Sequence, residues 1–438
     1  MDIANSIAQW VIAQLESIPA EHLSRGLAMI KPNLWMELVM SERETAEIRA
    51  LLDRPSTEHP RNATVFIPGI MGSQLTSIRG ISALLWPNPR LLLEGHLNLL
   101  DLDDDGVDDR VPDVDIVPLG VEKLSYLQIV LALARETRLY EFPYDWRHSV
   151  LRTADTLAHS LERWSLSEPE RRFTLVCHSM GGLVARAYLA KHPHEAERRV
   201  ERVIMLGTPL QGAAEAALLF AGEARPARII KHLNPANDVL GFALGLPSAY
   251  QLLPPPPELF MGDRPYPLDW NPYDETEWQG PPVRGDLLSE ARRFHELVLG
   301  CQPDIEQIEI AGCHYETVAA VRRQTDDGEL RLLPERHDTG PDSGDEQVPL
   351  WSARVPGVAT YYVEQNHNGL VQTGKAIDAV RALLHGDAVE LPAELPPFEE
   401  HRSPLEAIPL VQQMNELRNR LASGKITRED IQRIFFAG

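Results

Sequence analysis

The segment Thr174-Leu175-Val176-Cys177-His178-Ser179-Met180-Gly181-Gly182 constrains this chain more than any other. Its first four residues form a short apolar run that ends in turn chemistry, the pattern of a buried strand. Leu183, Val184, Ala187 and Tyr188 follow at helical spacing. A serine between such a strand and such a helix sits on a turn so sharp that only small residues fit around it. Its hydroxyl is then presented at the carboxyl edge of a sheet, in front of the positive end of a helix. The usual form is Gly-x-Ser-x-Gly, and here Cys177 stands at the first glycine position. Four more runs read as strands: residues 64–67 before Pro68-Gly69, 203–206 before Gly207-Thr208-Pro209, 308–311, and 359–363. Short apolar strands alternating with helical segments predict an α/β fold with a mostly parallel central sheet.

A serine hydroxyl is a weak nucleophile and needs a base, an acid to orient that base, and donors for the oxyanion. On this fold the chain order is serine, acid, histidine. Asp345, in the loop Gly344-Asp-Glu-Gln-Val-Pro349, is the expected acid; Asp342 is a nearby competitor, and Asp304 and Glu309 are weaker ones. His367 follows the 359–363 strand and is the expected base. The oxyanion donors are expected to be the main-chain N–H of Met180, just after the serine, and that of Ile70 in Pro68-Gly-Ile-Met-Gly-Ser73. Asp145 and Arg147 read as a structural pair supporting a pocket wall rather than as catalytic groups.

Five motifs occur in order: Pro68-Gly-Ile-Met-Gly-Ser-Gln-Leu75, Pro143-Tyr-Asp-Trp-Arg147, His178-Ser-Met-Gly-Gly182, Pro247-Ser-Ala-Tyr-Gln-Leu-Leu-Pro254 and Gly344-Asp-Glu-Gln-Val-Pro349. Together they resemble the lecithin:cholesterol acyltransferase-like α/β-hydrolases, which include lysosomal-type phospholipase A2 and bacterial lipase-like members, over about residues 62–385. The resemblance implies an α/β-hydrolase fold and an acyl-serine intermediate on lipid acyl esters, with water or an alcohol as acceptor. It implies Ser179, Asp345 and His367 as the triad, Ile70 and Met180 as oxyanion donors, and a lid and a cap in the two long inserts. Where the family reads Gly-Thr after the acid, this chain has Glu346-Gln347.

Three parts are expected: a helical extension over 1–60, the hydrolase domain over 61–390 with a lid insert at about 76–122 and a cap insert at about 212–300, and a Pro-rich linker with a helical extension over 391–438. The formal net charge of −22 argues against nucleic acid and against docking on anionic membranes through bulk charge. Three cysteines, 177, 301 and 313, make no disulfide framework. No apolar run reaches the roughly 20 residues of a membrane span, and the start lacks a secretory pattern. A cytoplasmic location is expected, with export that needs no cleaved signal left open. Asp101, Asp103, Asp105 and Gly106 match the start of a calcium loop, but Pro112 stands where a bidentate Glu belongs, so no metal is expected. No nucleotide motif is present and no cofactor is expected. The expected partner is a lipid or acyl-ester substrate, with peripheral membrane contact left open and no protein partner named. The reading is thus a lipase- or phospholipase-type serine hydrolase, with an acyltransferase or a retired hydrolase-fold binding protein as alternatives.

Overall fold

The computed structural model describes residues 42–53, 63–80, 83–326, 329–398, 410–423 and 430. Six parallel strands form the central sheet in the order β11-β8-β7-β6-β1-β5. They are β1 (Ala63–Ile67), β5 (Arg138–Glu141), β6 (Phe173–His178), β7 (Val200–Leu206), β8 (Glu306–Gly312) and β11 (Ala359–Val363). The sheet is therefore parallel throughout, and the five strands expected from apolar runs all lie in it. β5 joins them as an edge strand whose four residues, Arg-Leu-Tyr-Glu, carry no apolar run.

The side chains alternate across the sheet, as strand geometry requires. Val65, Ile67, Leu175, Cys177, Val203 and Met205 enter one core. Phe66, Val176, Ile204, Leu206, Ile308 and Ile310 enter the other. The first core is covered by helices Val150–Ser165, Met180–Lys191 and Gly285–Gly300, through residues such as Leu157, Leu183 and Phe294. The second is covered by Glu42–Asp53, Lys123–Glu136 and Gly374–His385. Burial on both faces explains why β1 and β6 read as unbroken apolar runs.

Two smaller sheets stand apart. β2 (Ser73–Ser77), β3 (Ala83–Trp86) and β4 (Ile116–Val121) pair antiparallel in the order β3-β2-β4, within the first long insert. β9 (Thr317–Asp326) and β10 (Glu329–His337) form an antiparallel pair between β8 and the Asp345 loop. The second insert holds four short helices, Glu215–Leu219, Arg225–Leu233, Val239–Leu244 and Pro247–Gln251, ahead of the crossover helix Gly285–Gly300.

The apolar runs over Ile3–Ile18 and Leu27–Val39 lie outside the described residues, as do Ile431, Ile434, Phe435 and Phe436. The periodic stretch near the end of the chain forms the helix Leu410–Ala422, with Met414, Leu417 and Leu421 buried in the first core. Among the described residues, no helix is long and apolar enough to cross a membrane.

Candidate active site

Ser179 occupies the turn between β6 and the helix Met180–Lys191, with φ 54° and ψ −128°. A non-glycine residue reaches that region only when its surroundings hold it there. The Ser179 N–H donates to Leu206 O at 2.9 Å, tying the turn to the end of β7. Gly181 is required by space: a Cβ there would lie 2.4 Å from Ile67 O and 2.6 Å from Pro68 O. Cys177, at the position usually held by glycine, is fully buried, and that burial pushes its thiol well above the usual range. It is a small core residue here, not a reactive one.

Asp345 and His367 meet. The His367 Nδ1–H donates to Asp345 Oδ2 at 2.7 Å, and the His367 main-chain N–H donates to Asp345 O, also at 2.7 Å. Asp345 is 1% exposed, and its Oδ1 accepts the N–H groups of Gln347 (3.0 Å) and Val348 (2.7 Å). Gly207 sits against both side chains with φ 58°; a Cβ there would fall 2.8 Å from Asp345 Oδ2 and 3.1 Å from His367 Nδ1. Glu346 adopts φ 87°, a left-handed conformation that favours glycine, and its side chain accepts from Asn366 Nδ2 at 3.2 Å. The glycine of the family pattern thus has a backbone reason at this position.

The competing acids sit elsewhere. Asp342 pairs with Arg264 at the surface, and Asp304 is exposed. Glu309 is fully buried in β8, with Oε1 accepting the Thr208 N–H at 3.0 Å and Oε2 without a hydrogen-bond partner among the described residues. Burial, with Asp345 adding to it, pushes this carboxyl well above its usual range. Its bond to Thr208 holds the turn after β7, whereas the histidine pairs with Asp345.

Ser179, His178, His367 and Ile70 line one cavity of about 210 Å³. Met180 opens its helix, so its N–H is among the four that a helix leaves without an internal partner, while its side chain is buried in the core. The cavity wall is otherwise apolar and drawn from both inserts, with Trp86 and Leu97 from the first and Leu219, Ile230 and Phe242 from the second. Glu215 also lines it, and burial raises that carboxyl above its usual range.

Asp145 and Arg147 form a buried two-point pair, Arg147 Nη2 to Asp145 Oδ2 at 2.6 Å and Arg147 Nε to Asp145 Oδ1 at 2.9 Å. The same guanidinium reaches Asp109 at 2.8 Å and Leu100 O at 3.0 Å, so it pins the acidic run to the wall. Within that run, Asp105 Oδ1 accepts the N–H groups of Val107 and Asp108, and Asp104 pairs with Arg110. The acidic side chains are engaged in turn geometry, and no group of three or more potential ligands able to hold a metal ion occurs among the described residues.

Two residues were missed by sequence reasoning. Tyr126, from the helix Lys123–Glu136, and His178, beside the serine, hydrogen-bond at 2.9 Å directly behind the oxyanion loop. A phenol on a largely buried helix and a histidine ending a buried strand are the traces they leave in the sequence.

The family model for lecithin:cholesterol acyltransferase matches residues 129–263, which contain the elbow and most of the second insert. The Arabidopsis thaliana lecithin-cholesterol acyltransferase-like 4 protein is 32% identical over 77 residues, which is 17% of this chain and 14% of that protein. Among solved structures, a chain of the Tle4–Tli4 complex superposes with a TM-score of 0.50 at 15% identity, covering 75% of this chain and 98% of its own. The mature Bacillus licheniformis lipase BlEst2 gives a TM-score of 0.35 at 14% identity, covering 76% of this chain and 94% of its own. The chain thus has the fold of an α/β-hydrolase, and its segment 129–263 is similar to the lecithin:cholesterol acyltransferase family.

Proposed function

We propose that the protein is a serine hydrolase of lipid acyl esters, of lipase or phospholipase type. The observation that carries this reading is the convergence of Ser179 and an Asp345-paired His367 on one apolar cavity. Ser179 Oγ attacks the ester carbonyl while His367 Nε2 takes its proton, and Asp345 steadies the imidazolium that forms. The N–H groups of Ile70 and Met180 hold the oxyanion. Collapse breaks the ester C–O bond. The departing alkoxide takes the proton back from His367, and the acyl group stays on Ser179. Water, deprotonated by His367, then releases the carboxylic acid.

The walls contributed by the two inserts suit an acyl chain, which gives residues 76–122 and 212–300 the roles of lid and cap. A net charge of −22 favours neutral or zwitterionic lipids, met at a membrane surface by means other than bulk attraction. Three free cysteines suit a reducing, cytoplasmic compartment. The match to an acyltransferase family favours a second outcome at the last step, in which an alcohol takes the acyl group in place of water.

The test compares wild type with Ser179→Ala on phospholipid, neutral glyceride and short-ester substrates, with and without an alcohol acceptor, and reads products by mass spectrometry. Free fatty acid and lysolipid that fall by roughly 10³-fold or more in Ser179→Ala are expected. An acylated alcohol would move the reading to acyl transfer. No serine-dependent product, together with no labelling by a fluorophosphonate, would make the chain a binding protein on a hydrolase fold.

A further inference from the structure

The groups behind the site form a chain of hydrogen bonds whose direction follows from its far end. The Gly69 N–H donates to Tyr126 Oη at 3.0 Å. The carbonyl of His367 can only accept, so His178 carries a proton on Nε2 and donates it there at 3.1 Å. In a neutral imidazole Nδ1 is then the acceptor, and the Tyr126 hydroxyl, 2.9 Å away, donates to it. Burial favours the neutral form of both groups: it pushes the Tyr126 hydroxyl above its usual range, and, followed by the nearby His367, it pushes the His178 imidazole well below its own.

The same three residues are packed as closely as they are bonded. A Cβ on Gly69 would lie 2.9 Å from Ser179 Cβ, 3.3 Å from Tyr126 Oη and 3.4 Å from His178 Nδ1. A Cβ on Gly72 would meet the Tyr126 ring at 2.8 Å. The rings of His178 and His367 meet at a tilt of 46° with centroids 4.6 Å apart. One end of this chain is the loop that carries Ile70, and the other is the backbone of the residue that takes the serine proton.

We propose that Tyr126 and His178 are positioning residues forming a hydrogen-bond wire that holds the oxyanion loop and the His367 loop in register around Ser179. This inference rests on the serine-hydrolase reading above. The wire joins two loops some 300 residues apart in sequence through two side chains at the base of the cavity whose polar atoms are spent on each other and on backbone. It fixes the distance between the oxyanion donors and the base, the quantity that decides how well both fit one transition state. The expected signature is a loss in kcat with little change in KM, because the apolar residues that the two inserts contribute to the acyl-binding wall are untouched.

The experiment uses the full chain and measures kcat, KM and thermal midpoint for Tyr126→Phe, His178→Asn, His178→Gln and the double variant Tyr126→Phe/His178→Gln, beside Ser179→Ala. Phe breaks the wire at the phenol. Asn keeps an acceptor near the Nδ1 position and loses the donor to His367 O, whereas Gln keeps a donor near the Nε2 position and loses the acceptor for Tyr126. Each single variant is expected to lower kcat by about 10- to 100-fold with KM within about twofold. The double variant is expected to be no worse than the weaker of its parents, since both cut one link. Three results overturn the wire: kcat within about twofold of wild type, losses that merely follow the folded fraction, or losses in the double variant that multiply. Activity that survives Ser179→Ala removes the underlying reading instead, and it is recognised by that variant alone.

Discussion

Two loops meet at Ser179, and they are held in opposite ways. The loop Pro68–Ser73 after β1 is suspended from distant aromatic residues. Tyr144 Oη donates to Pro68 O at 2.9 Å, Trp86 Nε1 to Met71 O at 2.9 Å and Trp146 Nε1 to Ser73 O at 3.3 Å, while Tyr126 accepts from Gly69. The loop Ser343–Val348 is held instead by short main-chain bonds, within itself and to Tyr315, Thr317 and His367. Leu350 N–H closes on Ser343 O at 2.9 Å, and Gln347 and Val348 donate to Asp345 Oδ1. A loop held this way survives a change in its functional side chain that keeps the acceptor, because its main-chain bonds stay in place. A loop hung from four rings transmits any change in their spacing directly to the chemistry. The first loop should therefore lose shape and activity together, and the second should lose them separately.

The largest effect is expected in the second loop, from Asp345→Asn. The amide oxygen still accepts from Gln347 and Val348, so the loop keeps its form. The amide NH₂ now faces His367 Nδ1 and turns that nitrogen into an acceptor, which moves the ring proton to Nε2 and leaves no base for Ser179. A fall in kcat of about 10³- to 10⁴-fold is expected, with the thermal midpoint within a few degrees of wild type. A loss below about tenfold would mean that another acid orients His367. Glu309, buried and bonded to Thr208, is the acid the comparison would then have to explain.

Gly69→Ala probes the suspended loop. Its Cβ would crowd Ser179 Cβ at 2.9 Å and the Tyr126 oxygen at 3.3 Å, so loop and phenol must part. About a 10²-fold loss in kcat is expected, together with a lowered thermal midpoint, since a misplacement of about 1 Å has that cost and buried bonds are broken as well. An unchanged midpoint with lost activity would erase the contrast between the two loops.

How far the sequence foretold each loop follows the same division. Five of the six sheet strands, the elbow, and the pairing of Asp345 with His367 were readable because each rests on a local pattern: a short apolar run, a turn, a residue type at a strand end. Tyr126 was not, because its partner lies 52 residues away and its helix is buried on nearly every side, polar residues included, so no single face stands out. β10 was missed because its sequence, Glu-Leu-Arg-Leu-Leu-Pro-Glu-Arg-His, is half charged and contains a proline, although the Asp327-Gly328 dipeptide before it is a hairpin signal. β2 to β4 were missed because they are short, bulged and surrounded by irregular chain. The roles of the extensions stayed illegible for a different reason: nothing in an amphipathic helix says which surface it covers.

The smallest effect tests whether the second loop tolerates its departure from the family pattern. Glu346 is a non-glycine residue at φ 87°, which costs about 1 kcal/mol relative to glycine. Glycine would relieve that cost, but it would raise unfolded-chain entropy by about 0.5–1 kcal/mol and lose the 3.2 Å bond to Asn366, so the two sides nearly cancel. The ionisation of Glu346 breaks the tie. Burial, the main cause, and the nearby Asp345 raise its folded-state pKa above 4.5, while the Asn366 bond opposes this. A raised acid pKa means that the folded protein holds the proton more tightly than the unfolded chain. The stability this contributes is present below the unfolded value and is lost as pH rises through the folded one. Deleting the carboxyl removes that loss. The thermal midpoint of Glu346→Gly, measured against wild type, is therefore expected to sit near zero difference at pH 4 and to become more favourable by pH 8. A difference that is flat or falls with pH would show that Glu346 ionises in the folded loop as freely as in the unfolded chain, and that the Asn366 bond outweighs its burial.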